Sequence, residues 1–289
     1  MRLTRRLSTR DALLATLLTA IAALGPSATP SVVEAYERSA ARIDSLAELA
    51  EPHVLGDEIA EVIVRVRGSS VCSGTPISGA RLVITAAHCI LDEDGDVTAV
   101  TVARDGVEYV PRAALVNRRY HDAPSAQLDA AVLVMERAIP GLVATLGDTA
   151  PTQGLVTIAG FQPIDTDGTL LRGTSYRDRP TPKGATGGVV EIESLPAGCV
   201  ERASSIEITA DQLKVGCGLV PGGSGGGLFA ADRGRLVLQG IISTVGRDLS
   251  FNGLTRPAAV RELLNHPGDY TYAVAEERVS FAQPQITRE

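Results

Sequence analysis

Tryptophan is absent from this 289-residue chain, and aromatic side chains of every kind make up only 3% of it. A core built from it is therefore aliphatic, and frequent valine and isoleucine supply the material. Hydrophobic residues reach 44%, which sets the chain apart from disordered compositions. Cysteine is scarce: Cys72, Cys89, Cys199 and Cys217 are the four. None of them lies close to another in the manner of a zinc site, and no His-Glu-x-x-His sequence occurs, so no metal and no cofactor are expected. No basic tract is present either, and the formal net charge is −7. An acidic chain without lysine-arginine clusters is a poor partner for nucleic acid. Internal repeats are lacking as well.

The one long apolar run, Ala12 to Gly25, follows Arg2, Arg5, Arg6 and Arg10. It is too short to span a bilayer comfortably and fits the hydrophobic segment of a secretory signal. Residues 1–28 are read as that signal, with cleavage after Ala28. The small-residue pattern of Val33-Glu34-Ala35 moves the boundary as far as residue 35 equally well, and an uncleaved membrane anchor is the rival reading. Export predicts a secreted or periplasmic protein, free of the membrane once the signal is removed and monomeric. In that setting an even cysteine count predicts disulfides, with three pairings open.

Beyond the signal, Ser31-Val32-Val33-Glu34 is a capping box. Val33, Tyr36, Ala40, Ile43, Ala47 and Ala50 then recur at helical spacing, which predicts a helix over about residues 32–50 that ends before Pro52. Residues 31–54 form a removable pro-segment or a helical N-terminal extension. From Ile59 the texture changes to short β-branched runs: 62–66, 81–85, 97–102, 130–135, 155–159, 188–192, 206–209, 236–243 and 249–254. Turn residues such as Asp94-Gly95-Asp96 and Asp105-Gly106 separate them. Many short strands at this spacing predict an all-β barrel or sandwich. Residues 162–188, rich in Pro, Gly, Asp and Thr, are expected to be a long loop. Pro257 to Leu264 predicts a short helix with proline at its start, and residues 266–289 are a C-terminal extension. Asp92-Glu93-Asp94-Gly95-Asp96 lacks a glycine and a bidentate Glu where a calcium loop needs them, and is read as a solvated acidic turn.

The chemistry concentrates in Pro221-Gly222-Gly223-Ser224-Gly225-Gly226-Gly227. A serine hydroxyl attacks only when a base takes its proton and backbone N–H groups meet the charge it creates. Glycines on both sides permit a sharp turn and a close approach to those N–H groups. Taken alone, the stretch also reads as a flexible linker. A base is available in Thr85-Ala86-Ala87-His88-Cys89, at the end of an expected strand. An orienting carboxylate is available in Leu128-Asp129-Ala130-Ala131-Val132, at the head of another. Accepting the His88 ring N–H would satisfy a buried Asp129 and fix the tautomer that faces Ser224.

These segments, in the order His, Asp, Ser, resemble the trypsin/chymotrypsin family of serine peptidases. The stretch from Cys72-Ser73-Gly74-Thr75-Pro76 to His88-Cys89 is similar to that family's strand–turn–strand around its histidine. Asp129 to Leu133 resembles its aspartate segment. Ile208 to Gly218 followed by Gly222 to Leu228 resembles its approach to the serine, and Gly240 to Ser243 and Leu254 to Pro257 the strands that follow. The resemblance covers about residues 55–265. It implies two packed six-stranded antiparallel β-barrels, here with an N-terminal helix and a short C-terminal helix. It implies catalysis by His88, Asp129 and Ser224 on a protein or peptide substrate through an acyl-enzyme. An oxyanion hole of the Gly222 and Ser224 N–H groups, support of Asp129 by Ser243, and the pairs Cys72–Cys89 and Cys199–Cys217 are implied likewise.

Two departures matter. Position 223 is glycine, where the family usually carries an aspartate that pairs with a freed N-terminal amine; Val54-Leu55-Gly56-Asp57 only faintly echoes the matching N-terminal sequence. Either the oxyanion hole forms without that switch, or the glycines leave it poorly ordered and the protein is a weak or inactive binding module. The usual disulfide bracing the specificity pocket also has no cysteines. Gly218, Ser243, Val245 and Asn252 are the expected substrate-binding positions, with a preference for small or medium uncharged side chains. An esterase on the same three residues is a further alternative, though the order Ser, Asp, His of α/β-hydrolases is absent.

Overall fold

The computed structural model describes residues 53–54, 57–77, 79–164, 170, 194–232, 235–245 and 252–274. The signal, the expected helix over 32–50, the expected strand over 188–192 and the chain beyond 274 lie outside the described residues.

Seventeen strands are described. The first eight are β1 (His53–Val54), β2 (Val64–Arg67), β3 (Val71–Ile77), β4 (Leu82–Thr85), β5 (Thr101–Arg104), β6 (Val107–Tyr109), β7 (Pro111–Val116) and β8 (Ala131–Met135). Then come β9 (Thr145–Leu146), β10 (Leu155–Pro163), β11 (Ser194–Arg202), β12 (Glu207–Ile208) and β13 (Leu213–Val215). The last are β14 (Gly227–Asp232), β15 (Arg235–Val245), β16 (Asn252–Thr255) and β17 (Thr271–Ala273). Two curled sheets result. One runs β17-β7-β8-β4-β3-β2-β5-β6 and the other β1-β11-β10-β14-β15-β16-β13-β12, with β9 against β15. The β9–β15 pairing is parallel and the other strand pairings are antiparallel. Each sheet has six main strands, as a two-barrel fold requires, plus short ones at its margins.

The apolar runs are continuous rather than alternating because both faces of these strands are buried, and successive side chains point to opposite faces. In β4 and β8, Leu82, Ile84, Val132 and Val134 face the second sheet, where they meet Ala159, Phe229, Leu238 and Ile241. Val83, Ala131, Leu133 and Met135 fill the inside of the first curl. Val156, Ile158, Leu228 and Ile242 fill the second. Three aliphatic clusters thus follow from one period-two pattern, and Phe229 is the only fully buried Phe among the largest core side chains. A helix, α1 (Pro257–Asn265), starts with proline at its first turn and sends Val260 and Leu263 into the cluster between the sheets.

Several boundaries differ from the sequence-based expectation. The run 97–102 becomes a strand only from Thr101, because the Thr98 N–H bonds Ile90 O and Val97 makes a single bridge to Leu91. Gln162 and Pro163, expected in a loop, continue β10 opposite Leu195 and Ser194. Strands β7, β11 and β14 carry too many Ala, Gly, Pro or charged residues to read as strands, and their neighbours in the sheets impose the conformation. Part of the C-terminal extension has a place: β17 pairs with β7, Tyr272 opposite Ala114. In the acidic turn, the Asp92 carboxylate accepts the N–H groups of Asp94 and Asp96.

Candidate active site

Strand β4 delivers the histidine. It ends at Thr85, and a single turn of 3-10 helix, Ala87–Cys89, follows. Cys89 is bonded to Cys72 on the neighbouring β3, and the Ser69 hydroxyl donates to His88 O at 2.8 Å. His88 is thereby held on both sides while its side chain keeps 31% of its exposure. Cys72, His88 and Cys89 are the one group of potential metal ligands among the described residues, but the two sulfurs are bonded to each other and offer no thiolate.

A turn delivers the aspartate. The N–H groups of Leu128 and Asp129 both donate to Ser125 O, and Ala130 then opens into β8. Asp129 is fully buried, an expensive place for a charge unless donors surround it. They do. The His88 backbone N–H donates to Oδ1 at 3.0 Å, and the His88 ring Nδ1 lies 2.9 Å from Oδ2. The Ser243 hydroxyl donates to the same Oδ2 at 2.5 Å, and the Thr255 hydroxyl donates to Asp129 O at 3.0 Å. Nδ1 therefore carries the proton, leaving Nε2 free to accept. Burial and the Asp129 charge push the nearby Tyr120 phenol up to about 12, so Tyr120 stays neutral beside it.

The serine turn is packed against both strands. Ser224 O accepts the Ser73 N–H at 2.7 Å, and the Gly225 N–H donates to Ile242 O at 2.7 Å, one residue before Ser243. Gly225 has φ +80, and a Cβ there would lie 2.2 Å from both Ser73 O and Thr85 Oγ1. Glycine is thus required for the turn to reach the strand that leads to His88. The N–H groups of Gly223, Gly225 and Gly226 have backbone partners. Among the described residues, those of Gly222 and Ser224 have none, and neither has the Ser224 hydroxyl. Backbone N–H groups without a partner are able to receive a negatively charged oxygen.

At the expected substrate positions, Asn252 is buried and pairs in both directions with Leu219, Leu219 N to Oδ1 and Nδ2 to Leu219 O, each at 2.9 Å. Gly218 precedes this pair in sequence. Ser243 and Val245 lie on β15, where the backbone of Val245 pairs with Asn252. Cys199 and Cys217 form the second disulfide. Sequence reasoning missed Thr255, Ser73 as a partner of the serine turn, and Gln162. Gln162 is buried, accepts the Val220 N–H at 2.8 Å, and donates to Val220 O at 3.3 Å and Phe161 O at 2.9 Å.

Two curled antiparallel sheets, with a histidine–aspartate pair from the first and a glycine-rich serine turn from the second, define a two-barrel β-protein of the serine peptidase type. The chain belongs to the trypsin family, whose model matches residues 56–257. Among solved structures, it is similar to a Glu endopeptidase at 15% identity and TM-score 0.53, covering 75% of this chain and 96% of that one. It is similar also to the protease Anisep from Arthrobacter nicotinovorans, at 14% identity and TM-score 0.52, covering 72% and 96%. A thermostable serine protease, AL20, from an extremophilic microorganism aligns at 13% identity and TM-score 0.51, covering 73% and 98%. At such identities the likeness concerns the fold. No curated protein sequence matches the chain.

Proposed function

We propose that this protein is an exported serine endopeptidase in which Ser224 is the nucleophile, His88 the general base and then the general acid, and Asp129 the residue that orients His88. The observation that carries the reading is the Asp129 carboxylate, buried and aimed at His88 Nδ1 at 2.9 Å. It presents Nε2 to an incoming hydroxyl proton. Ser224 Oγ attacks the scissile carbonyl carbon as His88 takes its proton. The resulting oxyanion meets the N–H groups of Gly222 and Ser224. Collapse expels the amine, which takes the proton back from His88, and leaves an acyl-enzyme that water hydrolyses by the same steps in reverse. In the free protein the serine–histidine hydrogen bond need not be closed, since such bonds tighten when substrate binds.

The backbone from Ser243 to Val245 would pair with the substrate chain. Gly218 and Asn252 bring no charged side chain to the expected pocket, which supports a preference for small or medium uncharged side chains. Chromogenic peptides ending in Arg or Lys being the best substrates would overturn that preference. The two disulfides fit an oxidising compartment. No helix among the described residues is long and apolar enough to cross a membrane.

A fluorophosphonate probe tests the central claim. The parent protein should be labelled, and Ser224→Ala should not be. A folded parent that takes no label would make the protein a binding module, and turnover of esters without peptides would make it an esterase.

A further inference from the structure

Position 223 is where the family's aspartate and its ion-pair partner would brace the serine turn, and here it is glycine. The space is not empty. A Cβ on Gly223 would lie 2.8 Å from Gln162 Nε2. Gln162 comes from the end of β10 and is only 1% exposed. Its Oε1 accepts the Val220 N–H at 2.8 Å, and its Nε2 donates to Val220 O and Phe161 O. Val220 O in turn accepts the Gly223 N–H at 3.2 Å, closing the turn. A buried amide that spends its acceptor and one donor on Val220 and its other donor on Phe161 O of its own strand ties that strand to the turn, and leaving any of these groups unpaired there is costly.

The opposite side of the turn has its own fastening. The Ser73 hydroxyl donates to Gly222 O at 2.7 Å and accepts the Phe161 N–H at 2.7 Å. Fixing Gly222 O fixes the plane of the Gly222–Gly223 peptide, between the two free N–H groups, at a residue whose φ is +116. Ser73 also gives its N–H to Ser224 O. Gly160 completes the contact, because a Cβ there would lie 2.8 Å from Gly223 Cα. Val220, Gly222, Gly223 and Ser224 are thus each held by Gln162, by Ser73 or by the bare backbone of Gly160. The Gly222 and Ser224 N–H groups are the ones left over.

We propose that Gln162 and Ser73 are positioning residues that hold the Gly222–Ser224 turn in its anion-accepting form without a freed chain terminus, replacing the carboxylate that position 223 lacks. The proposal rests on the reading of Ser224 as nucleophile. It requires no activating cleavage to order the turn, because every group in the clamp lies within the described domain. A hydrogen-bond clamp of this kind acts on the transition state more than on the ground state, since the cradle is filled only when the carbonyl oxygen becomes charged.

The test compares the parent with Gln162→Met, which keeps the length of the side chain and removes its hydrogen bonds, and with Ser73→Ala. Three quantities are measured: the rate of fluorophosphonate labelling, kcat and KM on an uncharged peptide, and the thermal unfolding midpoint. Gln162→Met should lower labelling rate and kcat by about a hundredfold and Ser73→Ala by about tenfold, with KM within about threefold of the parent. A folded Gln162→Met that labels and turns over within twofold of the parent overturns the proposal, as does a loss confined to KM. Should Gln162→Met not fold, Ser73→Ala decides on the same criteria. A folded parent without labelling refutes the nucleophile assignment itself, and is thereby distinguishable from failure of the clamp alone.

Discussion

Asp129 Oδ2 is shared: it lies 2.9 Å from His88 Nδ1 and accepts the Ser243 hydroxyl at 2.5 Å. Ser243 comes from β15 of the second sheet, whereas His88 and Asp129 belong to the first. The hydrogen bond therefore registers the two sheets at the point where the imidazole is aimed.

Ser243→Ala should leave the fold intact and lower kcat. A hydrogen bond to a buried charge contributes about 1.5–3 kcal/mol, so a loss of roughly ten- to a hundredfold in kcat is expected, with little change in KM. Steady-state kinetics on a peptide substrate reads it directly. Unchanged kcat would mean that Asp129 keeps its aim without Ser243.

Removing the Cys72–Cys89 bridge should act on stability and on activity together. The pair closes a short loop, and a ring of this size contributes about 3 kcal/mol. Cys72→Ala/Cys89→Ala is expected to unfold at correspondingly lower urea. Its kcat should also fall, since β3 no longer tethers the turn carrying His88. A loss of stability without loss of kcat would show that the Ser69 and Asp129 contacts hold the histidine without the bridge.

The glycines at positive φ are not equivalent. Gly225→Ala places a Cβ against Ser73 O and Thr85 Oγ1 and should cost about 3 kcal/mol or more, with activity lost. Gly154, at φ +81, faces open space, so Gly154→Ala should cost only about 1 kcal/mol. Chemical denaturation of the two variants side by side checks the contrast.

Burial pushes the Glu201 carboxyl up, with Ser205 and the Gly216 amide offsetting part of the shift, and its Oε1 has no hydrogen-bond partner among the described residues. The folded state thus favours the neutral acid. Its contribution to stability is complete below the ordinary carboxyl range and is lost as pH rises through the raised value. Glu201→Gln should therefore raise Tm at neutral pH. The advantage should shrink as pH falls through the raised value and be gone below about 4. Thermal melts across that range decide it, and a constant difference would remove ionisation as the cause.

The sequence carried the candidate site more clearly than the strands around it. His88, Asp129 and Ser224 each lie in a short local motif, and local motifs are legible without a fold. Gln162 is not legible, because its role depends on Val220, 58 positions away, and its neighbours Pro163 and Asp165 read as a loop. Strand β11 hid for a related reason. Pro196, Gly198 and Glu201 are poor strand residues, and the pairing with β10 along its whole length imposes the extended form.

Strand β17 has one more implication. Among the described residues it is the last strand made, and it lies beside β7 of the leading sheet. The leading sheet thus lacks its outermost ribbon until the chain has been synthesised past residue 273 and has already supplied the whole trailing sheet and α1. During synthesis, a chain stopped short of that point would present the open backbone edge of β7. A protein built in this order closes its leading sheet only when almost all of the described polypeptide has been made.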